Sequence, residues 1–193
     1  MLPLASFAFV NLITPGPNNL MLAASGIGFG LRRTLPLLLG VWAGFLLLVL
    51  ACGLGVGSVL AQWPGVMPAV QAAGTAYLIL LAWRLRSSLV PSAGPAAGEP
   101  VSFLTGLGFQ FVNPKGWVMG ITAAGVFLPG LGGGWQAVAA LCLVTAVVSL
   151  PCIVTWAALG STIRARLHDP RWQRTFSGVI IGLTLYAAVA IWL

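Results

Sequence analysis

Long apolar runs separated by short polar or basic connections organise the whole chain. Six runs can be read, at roughly Leu4–Gly28, Leu35–Ala61, Val66–Trp83, Phe103–Leu128, Trp135–Gly160 and Phe176–Leu193. Each is close to the about 20 apolar residues that a helix needs to cross a bilayer. Runs of that length with no two-residue alternation predict helices surrounded by lipid, not strands. The connections are short except Arg84–Ser102, whose Pro, Ala, Ser and Gly content marks a flexible loop. The first run opens without a basic residue and its positive charges follow it, the reverse of a secretory signal. It is expected to be a retained helix.

Composition strengthens this pattern. Only 6% of the 193 residues are charged and 59% are hydrophobic, with a mean hydropathy of +1.02. A soluble domain carries about 25% charged residues, so a water-soluble fold is excluded. The net charge of +7 therefore concerns orientation before it concerns nucleic acid, which is excluded as a partner. Arg32 and Arg33 sit in the first connection, Arg84 and Arg86 in the third, and Arg164, Arg166, Arg171 and Arg174 in the fifth. The second and fourth connections have none. Alternate loops share a membrane face, and the basic face is cytoplasmic, so both termini are expected outside. Trp63, Trp135 and Trp192 fall at the outer ends and Trp83 and Trp172 at the inner side, as interfacial tryptophans should.

Two runs are interrupted near their middles. The first holds Asn11 and then Thr14-Pro15-Gly16-Pro17-Asn18-Asn19. The fourth holds Gln110 and then Asn113-Pro114-Lys115-Gly116. Proline inside a helix removes a backbone donor and clashes one turn back. Thr14 before Pro15, and Asn113 before Pro114, match a side-chain N-cap followed by proline at the first helical position. Each break then reads as the N-terminus of a half-helix, with about half a positive charge and free amide donors. Lys115 is the ninth basic residue and lies about 18 Å into its run at 1.5 Å per residue. A mid-membrane ammonium is costly and marks a functional site.

The runs also divide into two halves of similar length, each opening on a broken helix. The expected fold is thus an all-α integral membrane protein with six transmembrane helices in a 3+3 inverted repeat, helices 1 and 4 being broken. It forms one translocator domain over 1–193, with repeat one at about 1–86, a cytoplasmic linker at about 87–101 and repeat two at about 102–193. Paired interruptions in two halves point to a transporter whose site lies at the midplane. Gly40-x-x-x-Gly44 lets helices approach closely.

Several phrases resemble the lysine-exporter (LysE/RhtB) family of bacterial amino-acid efflux translocators. They are Thr14 to Asn19, Arg32-Arg33, Gly40-x-x-x-Gly44, Ala73-Gly74-Thr75-Ala76-Tyr77-Leu78 with Trp83-Arg84, and Phe109-Gln110-Phe111-Val112-Asn113-Pro114-Lys115. The resemblance covers nearly the whole chain and looks most like the branch that exports cysteine and O-acetylserine. It implies export of an amino acid or close metabolite across the bacterial inner membrane, driven by the proton gradient. Many relatives carry an aspartate directly after the second glycine of the span-two motif, where this chain has Phe45.

The candidate substrate-binding residues are Thr14, Pro15, Gly16, Pro17, Asn18, Asn19, Gln110, Asn113, Pro114 and Lys115. A zwitterion would present its carboxylate to the half-helix N-termini and Lys115, and its ammonium to a side-chain carbonyl of Asn18, Asn113 or Gln110. The two acids, Glu99 and Asp169, fall in loops, so no metal site is expected, oxygen-loving cations needing carboxylates. Nor is a cofactor. Catalysis would need His, Asp or Glu beside a nucleophile, and the one histidine, His168, sits in a basic loop. A channel, a scaffold or an intramembrane enzyme are the rival readings. The expected partners are a small amino-acid substrate and membrane lipid, with the basic fifth connection able to meet anionic headgroups. A second copy of the chain, in a homodimer, is a further candidate partner.

Overall fold

The computed structural model describes residues 1–60, 62–63, 65–88, 100–166, 170–190 and 192. Among them every regular element is helical. The chain order is α1 (Leu2–Ile13), α2 (Pro17–Phe29), α3 (Leu31–Gly53), α4 (Val56–Leu60), α5 (Val66–Ser88), α6 (Phe103–Phe109), α7 (Pro114–Phe127), α8 (Gly134–Arg166) and α9 (Pro170–Ala190). Single 3₁₀ turns follow α6 (Gln110–Val112) and α7 (Pro129–Leu131). The described part of each apolar run is thus mainly helical, the first and fourth being interrupted at Thr14–Gly16 and at Asn113. Two helices, α3 and α8, are long and apolar enough by themselves to cross a membrane.

The boundaries move outward from those the apolar runs suggest. Arg32 and Arg33 lie in the first turn of α3, Arg84 and Arg86 near the end of α5, and Arg164 and Arg166 at the end of α8. Arg171 and Arg174 lie within α9. These residues are helical, not loop residues as the pattern implies. An apolar run ends at its first charge, whereas arginine is a good helix former and backbone hydrogen bonding continues through it. Glu99, His168 and Asp169 lie outside the described residues, as does most of the expected linker.

Glycine sets the helix crossings. A Cβ on Gly40 would collide with the Phe103 carbonyl, and one on Gly44 would meet Leu107 and Gln110. Opposite them, Gly106 of α6 lies against the Leu37 backbone of α3. A second crossing is built alike: Gly26 of α2 lies on the Ala157 carbonyl of α8, and Gly160 of α8 lies on the Ala23 carbonyl of α2. The principal helix pairs are α2 with α8, α3 with α6, α3 with α8, and α5 with α9. Small residues permit this backbone approach where lipid supplies no hydrophobic push between helices.

Two apolar clusters flank the first break. Leu4, Ala8 and Leu12 of α1 pack with Phe45, Leu48, Trp117 and Leu141. Beyond the break, Leu20, Met21 and Leu22 of α2 pack with Leu37, Val41 and Ile153. Outside, Leu2, Phe9, Leu104, Val118, Leu143 and Val147 are exposed. So much exposed apolar surface suits a lipid solvent.

Candidate functional site

The first break is real, but it is placed one proline later than the sequence implies. Thr14 is extended (φ −67°, ψ 148°) and ends α1, while Gly16 (φ −172°, ψ 176°) is the N-cap of α2 and Pro17 its first residue. The assignment of Thr14 as N-cap with Pro15 opening the helix is therefore corrected. Proline disfavours the helical region for the residue before it. A helix begun at Pro15 would be stopped at Gly16 by Pro17. In the second break Asn113 is the N-cap (φ −91°, ψ 102°) and Pro114 the first residue of α7, as the sequence indicates. Neither N-cap makes a side-chain capping bond, so the side-chain cap expected of Asn113 is corrected: it caps by position alone.

The broken ends leave backbone groups that must be satisfied. For α1 this is done from three directions. Thr14 Oγ1 donates to the Asn11 carbonyl (2.9 Å), Asn19 Nδ2 to those of Leu12 (2.7 Å) and Thr14 (2.8 Å), and Trp156 Nε1 to that of Ile13 (3.0 Å). At the second break Trp117 Nε1 donates to the Phe111 carbonyl (2.9 Å). Asn19 is thus a structural brace for the break, and so is Trp156, which the sequence did not single out. The only local signal for Trp156 is an indole N–H inside an apolar run, which needs a partner when buried.

Side chains join the two breaks. Asn18 Nδ2 donates to Gln110 Oε1 (2.8 Å), and Gln110 Nε2 donates to Asn18 Oδ1 (3.0 Å) and to the Gly106 carbonyl (3.1 Å). Lys115 reaches back across the cavity: its Nζ donates to Thr14 Oγ1 at 2.9 Å and to the Pro15 carbonyl at 3.5 Å. A Cβ on Gly16 would come within 3.1 Å of Lys115 Cδ and Nζ. Any residue tolerates the extended backbone of Gly16, so closeness to the lysine is what favours glycine there.

These groups enclose a small cavity of ≈ 20 Å³ lined by residues of both breaks. Of the ten candidate residues, Gly16, Pro17, Asn18, Asn19, Asn113 and Lys115 line it directly. Thr14 and Pro15 act through Lys115, and Gln110 through Asn18. Pro114 is buried as the first residue of α7. Leu12, Phe45, Met119 and Gly116 complete the lining beside Asn11; Leu12 and Met119 carry no signal in the sequence. Asn113 is 2% exposed, and its Oδ1 is a buried acceptor without a hydrogen-bond donor.

Electrostatically the cavity is one-sided. No Asp or Glu falls among the described residues, so Lys115 is held by a neutral hydroxyl and a carbonyl. Two helix N-termini without side-chain caps add positive potential. The cavity lining contains no nucleophile with an adjacent base. It is equipped to hold a small ion or dipole, not to transform one.

Together these features define a helical membrane protein with a polar cavity at two interrupted helices. The chain belongs to the family of LysE type translocators, which it matches over residues 9–191. It is accordingly a transporter and not an enzyme. It is 36% identical over 123 residues to a cysteine/O-acetylserine efflux protein of Klebsiella pneumoniae, covering 64% of this chain and 62% of that protein. Proteins described in the same words from Escherichia coli K12 (29%) and Salmonella choleraesuis (30%) match over 187 residues, 96% of this chain and 94% of each relative. No solved structure matches.

Proposed function

We propose that the protein exports a small neutral amino acid or close metabolite, of the cysteine/O-acetylserine, threonine or leucine type, across the bacterial inner membrane, coupled to the proton gradient. Its helices cross as six spans in a 3+3 inverted repeat, with α1–α2 and α6–α7 as the broken first and fourth spans. The helix pairing supports this arrangement. Exchanging spans one and four, two and five, and three and six turns the pairings of α1 and α2 with α8 into those of α6 and α7 with α3, and maps α3–α8 and α5–α9 onto themselves. All of these pairs occur. Both termini lie on the outer face.

The observation that carries the reading is Lys115. A cation from the second break, half-buried and with no acid among the described residues, is laid over the first break, 2.9 Å from Thr14 Oγ1. The substrate carboxylate binds Lys115 and the amides of the half-helix N-termini, as in transporters whose broken helices point at anionic groups. A cavity of ≈ 20 Å³ has space for about one water, which is too little for an amino acid. The substrate enters when one repeat rocks against the other. Lys115 is the titratable group placed to couple protons.

Metabolite profiling of the medium with and without overexpression tests this, beginning with cysteine, O-acetylserine, threonine and leucine. At least one accumulates, and Lys115→Met abolishes the effect at unchanged membrane abundance. In vesicles, flux responds to an imposed pH gradient. Accumulation of none of the four defeats the export reading. Equilibration without dependence on the gradient identifies a channel instead.

A further inference from the structure

Four amide side chains of the two breaks, Asn18, Asn19, Gln110 and Asn113, are separated by their hydrogen bonds. Asn18 and Gln110 occupy each other's carbonyl oxygens at 2.8 and 3.0 Å. Asn19 spends its amide nitrogen on the end of α1. Asn113 differs: it lines the cavity, is 2% exposed, and its Oδ1 has no donor. It makes no capping bond to its own helix, so its orientation serves no local purpose. A buried acceptor without a donor is costly and calls for one.

Asn113 stands where two elements meet: it is the C-cap of the 3₁₀ turn that ends the first half of the broken helix, where carbonyls are left over, and the N-cap of α7, where amides are. Two residues on, Lys115 stands in the first turn of α7. One break therefore carries an acceptor and an ammonium two residues apart.

We infer that Asn113 Oδ1 is the seat of the substrate's ammonium while Lys115 holds its carboxylate. This rests on the export reading above and adds the direction in which the zwitterion lies. Carboxylates without an ammonium, and amines without a carboxylate, each satisfy half of the site.

Three related ligands test it: L-cysteine, 3-mercaptopropionate, which lacks the amino group, and cysteamine, which lacks the carboxylate. The full chain is reconstituted in proteoliposomes under reducing conditions, and each compound competes with labelled L-cysteine. The wild-type protein prefers L-cysteine to 3-mercaptopropionate by at least about tenfold, the worth of a hydrogen bond to a charged group. In Asn113→Leu that preference collapses because L-cysteine weakens, while 3-mercaptopropionate stays within about twofold. Lys115→Met instead loses the preference over cysteamine. Asn113→Asp keeps the preference for the amino compound, and it decides the matter should the leucine variant not fold. A folded Asn113→Leu with undiminished preference, or an Asn113→Asp that loses it, overturns the assignment and leaves Asn113 a water-binding residue. If L-cysteine is not carried, L-leucine with 4-methylpentanoate and isopentylamine replaces the set. Transport of no amino acid by the wild type defeats the export reading itself, a result distinct from transport without amino-group discrimination.

Discussion

Individual residues at the first break hold it, face the cavity or, as Asn19 does, serve in both ways. Asn19 is 5% exposed and satisfies two carbonyls at the end of α1. Asn19→Leu would strand both. At roughly 1–3 kcal/mol for each stranded acceptor, the variant should unfold in detergent at a markedly lower temperature than the wild type. Gly16→Ala separates the two roles. The added methyl meets the flexible end of Lys115, so stability should stay within about 1 kcal/mol while the ammonium leaves Thr14. Substrate affinity should then fall about fivefold, the value of one ordinary hydrogen bond, with the thermal midpoint nearly unchanged. Lys115 and both breaks are legible in the sequence, because a cation or a proline in an apolar run contradicts its surroundings. The N-cap is not, since Thr-Pro-Gly-Pro offers two starts. The rule for residues before proline favours the second, and the bonds from Asn19 and Trp156 brace it.

At the scale of helices, the glycine crossings make a sharper prediction than composition could. Gly160 lies against the Ala23 carbonyl, and Gly40 against that of Phe103. Alanine at either position must push two backbones apart, at about 1–3 kcal/mol or more for such overpacking. Gly125 of α7 is the control, exposed and with nothing within 4 Å of an added Cβ. Gly125→Ala should be neutral or slightly stabilising, since alanine is the better helix former, whereas Gly160→Ala and Gly40→Ala should lower the yield of monodisperse protein. The Gly40-x-x-x-Gly44 spacing is visible in the sequence and does mark a close crossing. Its partner, Gly106, and the Gly26–Gly160 crossing are not visible. Residues more than 60 apart in the chain acquire their meaning only when the helices meet. The helix ends also escaped the apolar pattern, because the terminal arginines continue the backbone ladder beyond it.

For the whole molecule, the proposed orientation predicts which surface each connection occupies. In a chain whose Cys52, Cys142 and Cys152 are replaced by alanine, Gln62→Cys should react with a membrane-impermeant maleimide added to intact spheroplasts. Arg33→Cys should react only after the membrane is opened. Both native side chains are exposed, so failure to label would reflect sidedness and not burial. The reverse pattern would invert the topology. The apolar exterior further predicts that the protein stays in solution only with detergent or lipid.

The sequence by itself determined the membrane class, the positions of six apolar runs, the two interruptions and the isolated lysine. These follow from local chemistry: the length of an apolar run, the missing donor of a proline and the cost of a charge in hydrocarbon act within a few residues. It also carried the family, through ordered phrases spread along nearly the whole chain. Only the tertiary structure decided what the polar residues do. Asn18, Asn19, Gln110 and Asn113 are equivalent amides on paper. Folding pairs the first with the third, turns the second into a brace and leaves Asn113 Oδ1 without a donor. A hydrogen bond belongs to two groups at once, so its bookkeeping closes only when the two breaks, about a hundred residues apart, are brought together.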